Sequence, residues 1–322
     1  MRLVFCGTPE FAVPTLTRLI AEPGITVEAV VTQPDRPRGR GQEMASSAVK
    51  EAALAAGIHV YQPEKIKSDS AFEFFKRVQP DAVAIVAYGQ IVPLRLIEIP
   101  RMGWVNLHAS LLPAYRGAAP ANWAIANGET RTGVTTMQID AGMDTGPILL
   151  HQEMEIGPDE TAPELLARMA EAGAPLMVQT LWGLERGDIR ARPQDGSRAS
   201  VAPLLKKEDG RIDWSWDAQK IYNRMRGFTP WPGAFTTFRG LTCHVWGRPA
   251  KGAPGRMAEP GAIVAAGGEL FVGCGEGSWL RVEAVQLEGR KRVGASEFVN
   301  GARLRGGERW GEGEVIRKPD NA

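Results

Sequence analysis

The sequence predicts an α/β fold in which a doubly wound, mostly parallel sheet is followed by a small open β-barrel. In the first half, short apolar runs alternate with helical stretches, and repeated β-α-β units build parallel sheets covered on both faces. After residue 205, short apolar segments are separated by glycine and proline, which is typical of a small barrel. The 322 residues suffice for about two domains. We therefore expect a sheet domain over residues 1–189, a linker over 190–205 and a barrel domain over 206–318.

Each predicted strand of the first half is an apolar run that ends at a glycine or a polar residue. Helices are predicted between these runs where apolar residues recur at helical spacing. In a longer helical pattern, Gly173 and Pro175 predict a break or kink. Doubly wound sheets bind ligands beyond the carboxyl ends of their strands, so the residues after each run are site candidates. The predicted strands are 2–7, 27–31, 58–61, 82–87, 104–108 and 134–139, and the helices are 11–20, 48–56, 72–78 and 163–186.

The second half consists of one predicted helix and several short strands. A polar stretch over residues 187–203 precedes it, with Gln194 near its centre, and indicates a linker. The helix is predicted over residues 217–226. The strands are predicted over residues 236–238, 243–246, 262–265, 270–272 and 279–285.

Charge is distributed unevenly along the chain, although the formal net charge is only +1. Residues 1–205 contain 19 Lys+Arg and 23 Asp+Glu, a net charge of −4. Residues 206–318 contain 19 and 13, a net charge of +6. A basic second half is typical of a domain that binds a polyanion, and a solvated surface is the alternative interpretation.

The composition excludes several classes of protein. The longest aliphatic run, residues 82–87, is far shorter than the roughly 18 apolar residues of a membrane span. The amino terminus has no basic leader followed by a long apolar segment, so we expect a cytoplasmic protein. Three widely spaced cysteines encode neither a disulfide framework nor a zinc site, and we expect Cys6, Cys243 and Cys274 to be buried.

The usual nucleotide-binding motifs are missing from this α/β sequence. The first predicted strand ends in the residues GTPEF at positions 7–11, where a dinucleotide-binding fold would have G-x-G-x-x-G. No phosphate-binding G-x-x-x-x-G-K-[ST] loop and no H-E-x-x-H motif occurs. A dehydrogenase, an NTPase or a zinc peptidase is therefore not predicted.

Three polar residues at strand ends form the candidate catalytic group. Asn106 and His108 lie two residues apart at the end of a predicted strand, so both side chains point to one face. An amide donor beside an imidazole suits oxyanion stabilisation together with proton transfer. Asp144 follows a later strand in a loop rich in glycine, which allows the carboxylate to fold back toward the other two. Taken singly, each of the three is more often structural.

Several strings of this sequence resemble the signature of the 10-formyltetrahydrofolate-dependent formyltransferases. They are NLHASLLP at residues 106–113, YRGAAP at 115–120 and DAGMDTG at 140–146. Residues 7–12, 32–37 and 86–89 are similar to the branch of that family that acts on methionyl-tRNA, and the likeness continues at 212–214 and 228–232. The resemblance implies a Rossmann-like first domain, a tRNA-binding OB-fold-like second domain, and a catalytic trio of Asn106, His108 and Asp144.

The resemblance also implies which residues bind the formyl donor, 10-formyltetrahydrofolate. The segment after the catalytic strand is expected to line the folate site, with Ser110, Leu111, Leu112 and Pro113 as its residues. Residues Tyr88 and Gly89, at another strand end, are expected to approach the pterin. Arg116 lies just beyond the folate segment, and it either orients an anionic ligand or forms a structural ion pair.

Two segments are expected to contact tRNA. A loop rich in proline and glycine carries Arg36, Arg38 and Arg40, and the resemblance places it near the acceptor end of the tRNA. Many family members have lysines where this chain has Gln42 and Glu43, which lowers the expected strength of phosphate binding. In the barrel, basic residues are candidates for phosphate contacts, and a solvated surface is the alternative for both segments. The barrel candidates are Arg281, Arg290, Lys291 and Arg292.

The implied reaction transfers a formyl group to the free α-amino group of methionyl-initiator tRNA. That amine has a pKa of roughly 8 and is largely protonated at neutral pH, so a group of the protein must accept a proton. We expect Asp144 to orient His108 and to help accept this proton, while Asn106 and His108 stabilise the oxyanion.

The alternatives are other formyl-folate enzymes, such as a sugar-nucleotide formyltransferase or a formyl-folate hydrolase, and a non-enzymatic tRNA-binding protein. The arginine loop and the basic second half favour tRNA as the acceptor, whereas a simple tRNA binder has no use for the catalytic trio. We expect a monomer that does not bind a membrane. No bound metal is expected either, because the catalytic trio is a poor ligand set for zinc.

Overall fold

The computed structural model describes residues 1–38, 43–252, 254, 259–304 and 307–311. Its contacts divide the chain into two compact units. The first contains residues 1–121, 131–156 and 164–203, and the second contains residues 122–130, 157–163 and 204–322. This division places residues 190–203, which the sequence predicts to be a linker, in the first unit.

The first unit is built on a seven-stranded sheet with the strand order β10-β9-β7-β6-β1-β2-β5. Two further strand pairs, β3 with β4 and β8 with β11, lie outside this sheet. The eleven strands are β1 (Arg2–Gly7), β2 (Thr26–Val31), β3 (Arg36–Arg38), β4 (Glu43–Ala45), β5 (Val60–Tyr61), β6 (Ala82–Val86), β7 (Trp104–His108), β8 (Arg116–Gly117), β9 (Arg131–Gln138), β10 (Ile148–Glu155) and β11 (Val201–Ala202).

The predicted fold class is confirmed, because β5, β2, β1, β6 and β7 all run parallel. Buried apolar residues fill the central strands, and all five residues of β6 are buried. The chain order reverses between β1 and β6, which is the switch point where doubly wound sheets open a crevice for ligands.

Two strands depart from the parallel pattern expected from the sequence. Strand β9 pairs antiparallel with β7, and β10 pairs antiparallel with β9. Strand β10 is not predicted from the sequence, because half of its residues, including the run 151–153, are polar and exposed, as befits an edge strand. The antiparallel pairing of β10 with β9 follows from their connection, a short loop over residues 139–147 that contains no helix.

Eight α-helices are present in the described part of the chain. The longest, α6, runs unbroken through Gly173 and Pro175, so the predicted break is wrong. Pro175 is exposed, where the carbonyl that loses its hydrogen bond can reach water. The helices are α1 (Val13–Ile20), α2 (Ala48–Ala55), α3 (Asp69–Val78), α4 (Leu94–Ile97), α5 (Pro120–Ala126), α6 (Ala162–Arg186), α7 (Ala218–Gly227) and α8 (Ala295–Ala302). None of the described helices is long and apolar enough to cross a membrane.

The second unit contains an antiparallel sheet with the strand order β12-β13-β16-β15-β14, and β17 pairs with β16. The separate β domain predicted from the sequence is thus confirmed. Alternating residues of β13 and β16 enter a core that also includes Trp214 and Trp310. Cys243 and Cys274 belong to this core, and Cys6 to that of the first unit, so all three cysteines are buried as predicted. The strands are β12 (Phe235–Phe238), β13 (Leu241–Pro249), β14 (Ile263–Ala266), β15 (Glu269–Gly273), β16 (Trp279–Leu287) and β17 (Val293–Gly294).

Candidate active site

His108 ends strand β7, and both nitrogens of its ring face protein atoms. Nε2 lies 2.9 Å from the carbonyl oxygen of Tyr115, and Nδ1 lies 3.6 Å from Oδ2 of Asp144. A carbonyl can only accept a hydrogen bond, so Nε2 carries the proton of the neutral ring and Nδ1 has the free electron pair. The ring is only 6% exposed. The nitrogen that can accept a further proton therefore faces a carboxylate.

Asp144 reaches His108 because its loop folds back over the face of the sheet. Asp140 anchors this turn by accepting hydrogen bonds from the backbone N–H of Gly142 at 3.0 Å and from the hydroxyl of Thr145 at 2.7 Å. At Gly146 the backbone passes so close to the Gln138 carbonyl oxygen that a Cβ would overlap with it. The juxtaposition of His108 and Asp144 expected from the sequence is present, although β9 runs in the opposite direction to β7.

A backbone amide holds the carboxylate of Asp144. The N–H of Gly117 donates to Oδ2 at 2.8 Å. Gly117 has φ +120°, and a Cβ there would lie 2.6 Å from the carbonyl oxygen of Ala202, so the position requires glycine. The same carboxylate oxygen thus accepts from the backbone and faces the imidazole.

Asn106 lies on the same face of β7 as His108, two residues earlier. Its side chain is half-buried, and within the described residues its carboxamide has no hydrogen-bond partner. A carboxamide has two N–H donors and one acceptor oxygen, so it is available to a ligand beside the imidazole. The geometry therefore groups all three residues of the predicted trio.

The segment after β7, expected to line a folate site, is fixed by a buried threonine. The hydroxyl of Thr135 donates to the carbonyl of Ser110 at 2.7 Å and accepts from the N–H of Leu112 at 3.2 Å. The Ser110 hydroxyl donates to the carbonyl of Ala114 at 2.6 Å. Leu112 is buried, whereas Leu111 and Pro113 are half-buried. This segment runs directly from His108 toward Tyr115.

Tyr88 and Gly89 follow β6, and they differ in what they offer a ligand. The ring of Tyr88 is buried in the core, its hydroxyl has no partner within the described residues, and burial raises the pKa of the phenol far above its ordinary value. Its carbonyl accepts from Thr8 at 3.1 Å and from Gln33 at 3.0 Å. The side chain of Tyr88 is therefore not available to a ligand, and the expected approach to the pterin would have to involve the backbone of Tyr88 and Gly89.

Two of the three arginines expected to approach tRNA belong to strand β3 of the β3–β4 hairpin. Arg36 is exposed, and its Nη2 donates to Oε1 of Gln33 at 3.3 Å. Arg38 belongs to β3, and Arg40 lies outside the described residues. At the base of the hairpin, Asp35 pairs with Lys50 and accepts from Gln62.

The four basic candidates of the second unit have different surroundings. Arg281 pairs with Glu269 at 3.0 Å and with Glu283 at 3.6 Å. The Arg292 guanidinium lies 4.0 Å from the centre of the Trp246 ring. Arg290 and Lys291 are both exposed, and among the described residues no carboxylate pairs with them. Arg290 and Lys291 are therefore the most available cations of this cluster.

No group of three His, Cys, Asp or Glu side chains within the described ranges is arranged to hold a metal ion.

Comparison with known proteins decides the family. The formyl transferase family model matches residues 1–181, and that of the formyl transferase C-terminal domain matches residues 204–303. The chain belongs to the formyl transferase family. The methionyl-tRNA formyltransferase of Solibacter usitatus is 55% identical over 316 residues, covering 98% of this chain and 100% of the relative. That of Geobacter metallireducens is 50% identical over 312 residues, 97% of this chain and 99% of the relative.

Solved structures of other formyl transferases share the fold. The N-formyltransferase of Helicobacter canadensis, solved in complex with folinic acid and dTDP-3-aminofucose, matches with a TM-score of 0.65. The match covers 87% of this chain and 98% of that one at 18% identity. The resemblance predicted from the sequence is confirmed by the family and the curated relatives together.

Sequence reasoning missed several contacts that shape the site of this formyl transferase. The Tyr115 carbonyl and the Gly117 amide hold His108 and Asp144, yet backbone groups leave no residue-specific signal in a sequence. Among the described residues Arg116 forms no ion pair, and its guanidinium donates instead to Oε1 of Gln194. Gln194 was placed in a linker because its neighbours are polar and rich in turn residues.

Proposed function

We propose that this chain transfers the formyl group of 10-formyltetrahydrofolate to the α-amino group of methionyl-initiator tRNA, giving N-formylmethionyl-tRNA. The observation that carries the chemistry is the grouping of Asn106, His108 and Asp144 at one site. The acceptor is supported by curated methionyl-tRNA formyltransferases that are 46–55% identical over nearly the whole chain.

The donor site is proposed beside the catalytic strand. The Asn106 carboxamide is half-buried and has no hydrogen-bond partner among the described residues, so it fits a ligand that presents a carbonyl oxygen, which is what a formyl group offers. A neighbour with this fold was solved with folinic acid, a folate compound, which supports a folate donor here. When bound, 10-formyltetrahydrofolate supplies the electrophilic formyl carbon. Its binding is assigned to the backbone of Tyr88, to Gly89, and to Ser110, Leu111, Leu112 and Pro113.

His108 and Asp144 are proposed to handle the proton of the attacking amine. With Nε2–H held by the Tyr115 carbonyl, Nδ1 accepts the proton, and the resulting imidazolium lies 3.6 Å from the Asp144 carboxylate. The Gly117 amide keeps that carboxylate in place. The ion pair between the His108 imidazolium and the Asp144 carboxylate forms only as the proton moves, so it stabilises the later stage of the reaction.

Asn106 is proposed to donate a hydrogen bond to the formyl oxygen as negative charge develops there. A preorganised donor of this kind stabilises the transition state more than the ground state. The protonated His108 then lies on the same strand face and can return its proton to the departing nitrogen of the donor.

The tRNA is proposed to bind through Arg36, Arg38 and Arg40 of the first unit and through Arg290 and Lys291 of the second. Exposure of Arg36, Arg290 and Lys291 supports this assignment. We further propose that the protein is a cytoplasmic monomer without a resident metal. Its proposed functional parts are a catalytic domain over residues 1–189, a linker over 190–205 and a tRNA-binding domain over 206–318.

The test is a formylation assay with acceptors of different classes. The protein is incubated with 10-formyltetrahydrofolate and one of three acceptors: methionyl-initiator tRNA, free methionine or a dTDP-amino sugar. We expect N-formylmethionyl-tRNA and no product from the other two. Formylation of the sugar alone would establish the sugar-nucleotide alternative, and release of formate with every acceptor would establish a hydrolase. Binding of tRNA without any formyl transfer would leave the non-enzymatic alternative.

A further inference from the structure

Gln194 differs from its neighbours in the segment that the sequence assigns to a linker. From Arg190 to Arg198, all nine residues are described, and Gln194 is the single one that is not exposed. The segment is tied to the first unit on both sides of Gln194. Arg192 exchanges two backbone hydrogen bonds with Ile148, both of 2.8 Å, and β11 pairs with β8.

The carboxamide of Gln194 uses all of its hydrogen-bonding capacity within the first unit. Its Nε2 donates to the carbonyl of Asp144 at 2.8 Å and to the carbonyl of Gly146 at 2.7 Å. Its Oε1 accepts from Arg116, at 3.0 Å from Nε and 2.7 Å from Nη2. Two donors and two lone pairs are thus matched, so this side chain has one favourable orientation.

The three residues of 115–117 connect Gln194 to the rest of the site. The Tyr115 carbonyl faces His108, the Arg116 guanidinium holds Gln194, and the Gly117 amide holds Asp144. Ser200 anchors this stretch, because its hydroxyl accepts from the N–H of Tyr115 and its carbonyl accepts from the N–H of Arg116. The Asp144 loop is therefore held at its carboxylate by Gly117 and at its backbone by Gln194.

We infer that Gln194 is a positioning residue whose carboxamide, oriented by Arg116, clamps the loop that presents Asp144 to His108. The inference rests on the proposed function for its catalytic consequence, whereas the clamp itself consists of hydrogen bonds within the chain. Asp144 has a left-handed backbone with φ +53°, a conformation that non-glycine residues adopt only when surrounding contacts impose it. Gln194 donates to the carbonyl of Asp144 and to that of Gly146, on either side of Thr145. These two hydrogen bonds restrain the left-handed conformation of Asp144 directly.

Two substitutions separate the clamp from general packing. Gln194→Glu keeps the shape of the side chain and an acceptor for Arg116, but a carboxylate has no N–H for the carbonyls of Asp144 and Gly146. Gln194→Ala removes all four hydrogen bonds. Gln152→Ala, which removes an exposed glutamine of β10, is the matched control. We expect both Gln194 variants to lower kcat by roughly 10- to 100-fold, because small misplacements of catalytic groups cost this much.

Hydrogen exchange tests the clamp without any substrate. In Gln194→Glu and Gln194→Ala we expect faster exchange in peptides covering residues 138–148, and in Gln152→Ala the exchange of the wild type outside the substituted position. Unchanged exchange in both Gln194 variants would overturn the clamp. This readout remains decisive if the wild-type protein transfers no formyl group, an outcome that would refute the proposed function alone.

A double-mutant cycle tests whether Gln194 acts through Asp144. If it does, Gln194→Ala lowers kcat in the wild-type background but changes it by less than about twofold in an Asp144→Ala background. Equal losses in both backgrounds would show that Gln194 acts elsewhere in the fold and would overturn the inference. Melting temperatures of all variants are measured alongside, and Gln194→Glu serves if Gln194→Ala does not fold.

Discussion

The imidazole of His108 is held by two residues with strained backbones. Tyr115, whose carbonyl faces Nε2, has φ +60°, and Asp144, whose carboxylate faces Nδ1, has φ +53°. A left-handed conformation costs a non-glycine residue on the order of 1–2 kcal/mol. Such conformations persist where surrounding contacts impose them, and here those contacts come from Gly117, Gln194 and Ser200. Strain is thus concentrated at the residues that fix the proton-transfer geometry.

Removing the Asn106 donor is expected to slow formyl transfer and leave the fold intact. Loss of one oxyanion donor typically lowers kcat by about 100- to 1,000-fold. Asn106→Asp is expected to be at least as slow as Asn106→Ala, because a carboxylate cannot donate and repels the developing charge. Steady-state kinetics and a thermal melt measure both effects. Turnover of Asn106→Ala within about threefold of the wild type, with an intact fold, would remove Asn106 from the mechanism.

The buried cysteines make stability depend on pH above 9. Burial raises the pKa of Cys243 and Cys274 from the ordinary 9.0 to about 12. Between these values the thiols stay neutral in the folded chain and ionise in the unfolded chain, so rising pH favours unfolding. Each thiol contributes a slope of about −1.4 kcal/mol per pH unit to the free energy of unfolding. Urea unfolding at pH 8–11 measures the free energy of unfolding, which should fall less steeply with pH in Cys243→Ala/Cys274→Ala than in the wild type. Identical slopes in the two proteins would contradict this.

At the scale of single residues, sequence reasoning succeeded where side chains carry the chemistry. Asn106 and His108 could be paired because alternation on a strand is regular, and Asp144 was found from its glycine-rich loop and the family resemblance. Gln194 could not be found in this way. Its partners at Asp144 and Gly146 are backbone carbonyls about 50 residues earlier in the chain, and no local pattern encodes them.

Among the elements, helix α6 packs against β7, the strand that carries Asn106 and His108, on the face opposite these two residues. Gly173 packs so closely on Leu107 that a Cβ at position 173 would overlap with the leucine side chain. Leu107 lies between Asn106 and His108 and points to the opposite face of β7. The helix therefore sets the position of the strand that carries two of the three proposed catalytic residues.

Gly173→Ala is expected to destabilise the protein in spite of alanine's higher helix propensity. The propensity gain is about 1 kcal/mol, whereas overpacking of a core costs typically 1–3 kcal/mol. We expect a net loss of up to about 2 kcal/mol in urea unfolding, together with a lower kcat because Leu107 moves its strand. The double variant Gly173→Ala/Leu107→Val should recover part of both. An increase in stability in Gly173→Ala would show that the helix packs less tightly on β7.

Prediction of the elements from the sequence fails for the direction of strand β9 and for the edge strand β10. Strand β9 was expected from its apolar run, but an apolar run has no direction, so the antiparallel pairing of β9 with β7 could not be predicted from it. Half of strand β10 is exposed, and its apolar start at residues 148–150 is followed by the polar run 151–153. Buried parallel strands such as β1 and β6 were predictable because two covered faces demand continuous apolar residues.

For the whole molecule, the uneven charge matches the proposed division of labour. The net charge of −4 over residues 1–205 belongs with the folate chemistry, and that of +6 over 206–318 with tRNA phosphate. Among the four basic candidates of the second unit, Arg290 and Lys291 are exposed and have no carboxylate partner in the described ranges, whereas Arg281 is paired with Glu269 and Glu283. Net charge alone does not distinguish Arg290 and Lys291 from the paired Arg281.

Salt dependence of tRNA binding is expected to reveal which cations contact phosphate. Each phosphate neutralised contributes about 0.9 to the slope of log K against log salt concentration for a duplex. The variant Arg290→Ala/Lys291→Ala should therefore bind more weakly and with a slope smaller by up to about 1.8. Arg281→Ala is the matched control and should leave the slope nearly unchanged. An unaltered slope in the double variant would place both residues away from the tRNA.

His108 and Asp144 are proposed to drive formyl transfer to methionyl-tRNA together. The most direct test of this proposal is the single-turnover rate of N-formylmethionyl-tRNA formation by the wild type and by Asp144→Asn, at saturating 10-formyltetrahydrofolate. Asparagine preserves the size of the side chain but removes the charge that stabilises the imidazolium. We predict product formation by the wild type and a rate at least about 100-fold lower in Asp144→Asn, with binding of methionyl-tRNA retained. Equal rates for the two proteins, or no product with the wild type, would contradict the account.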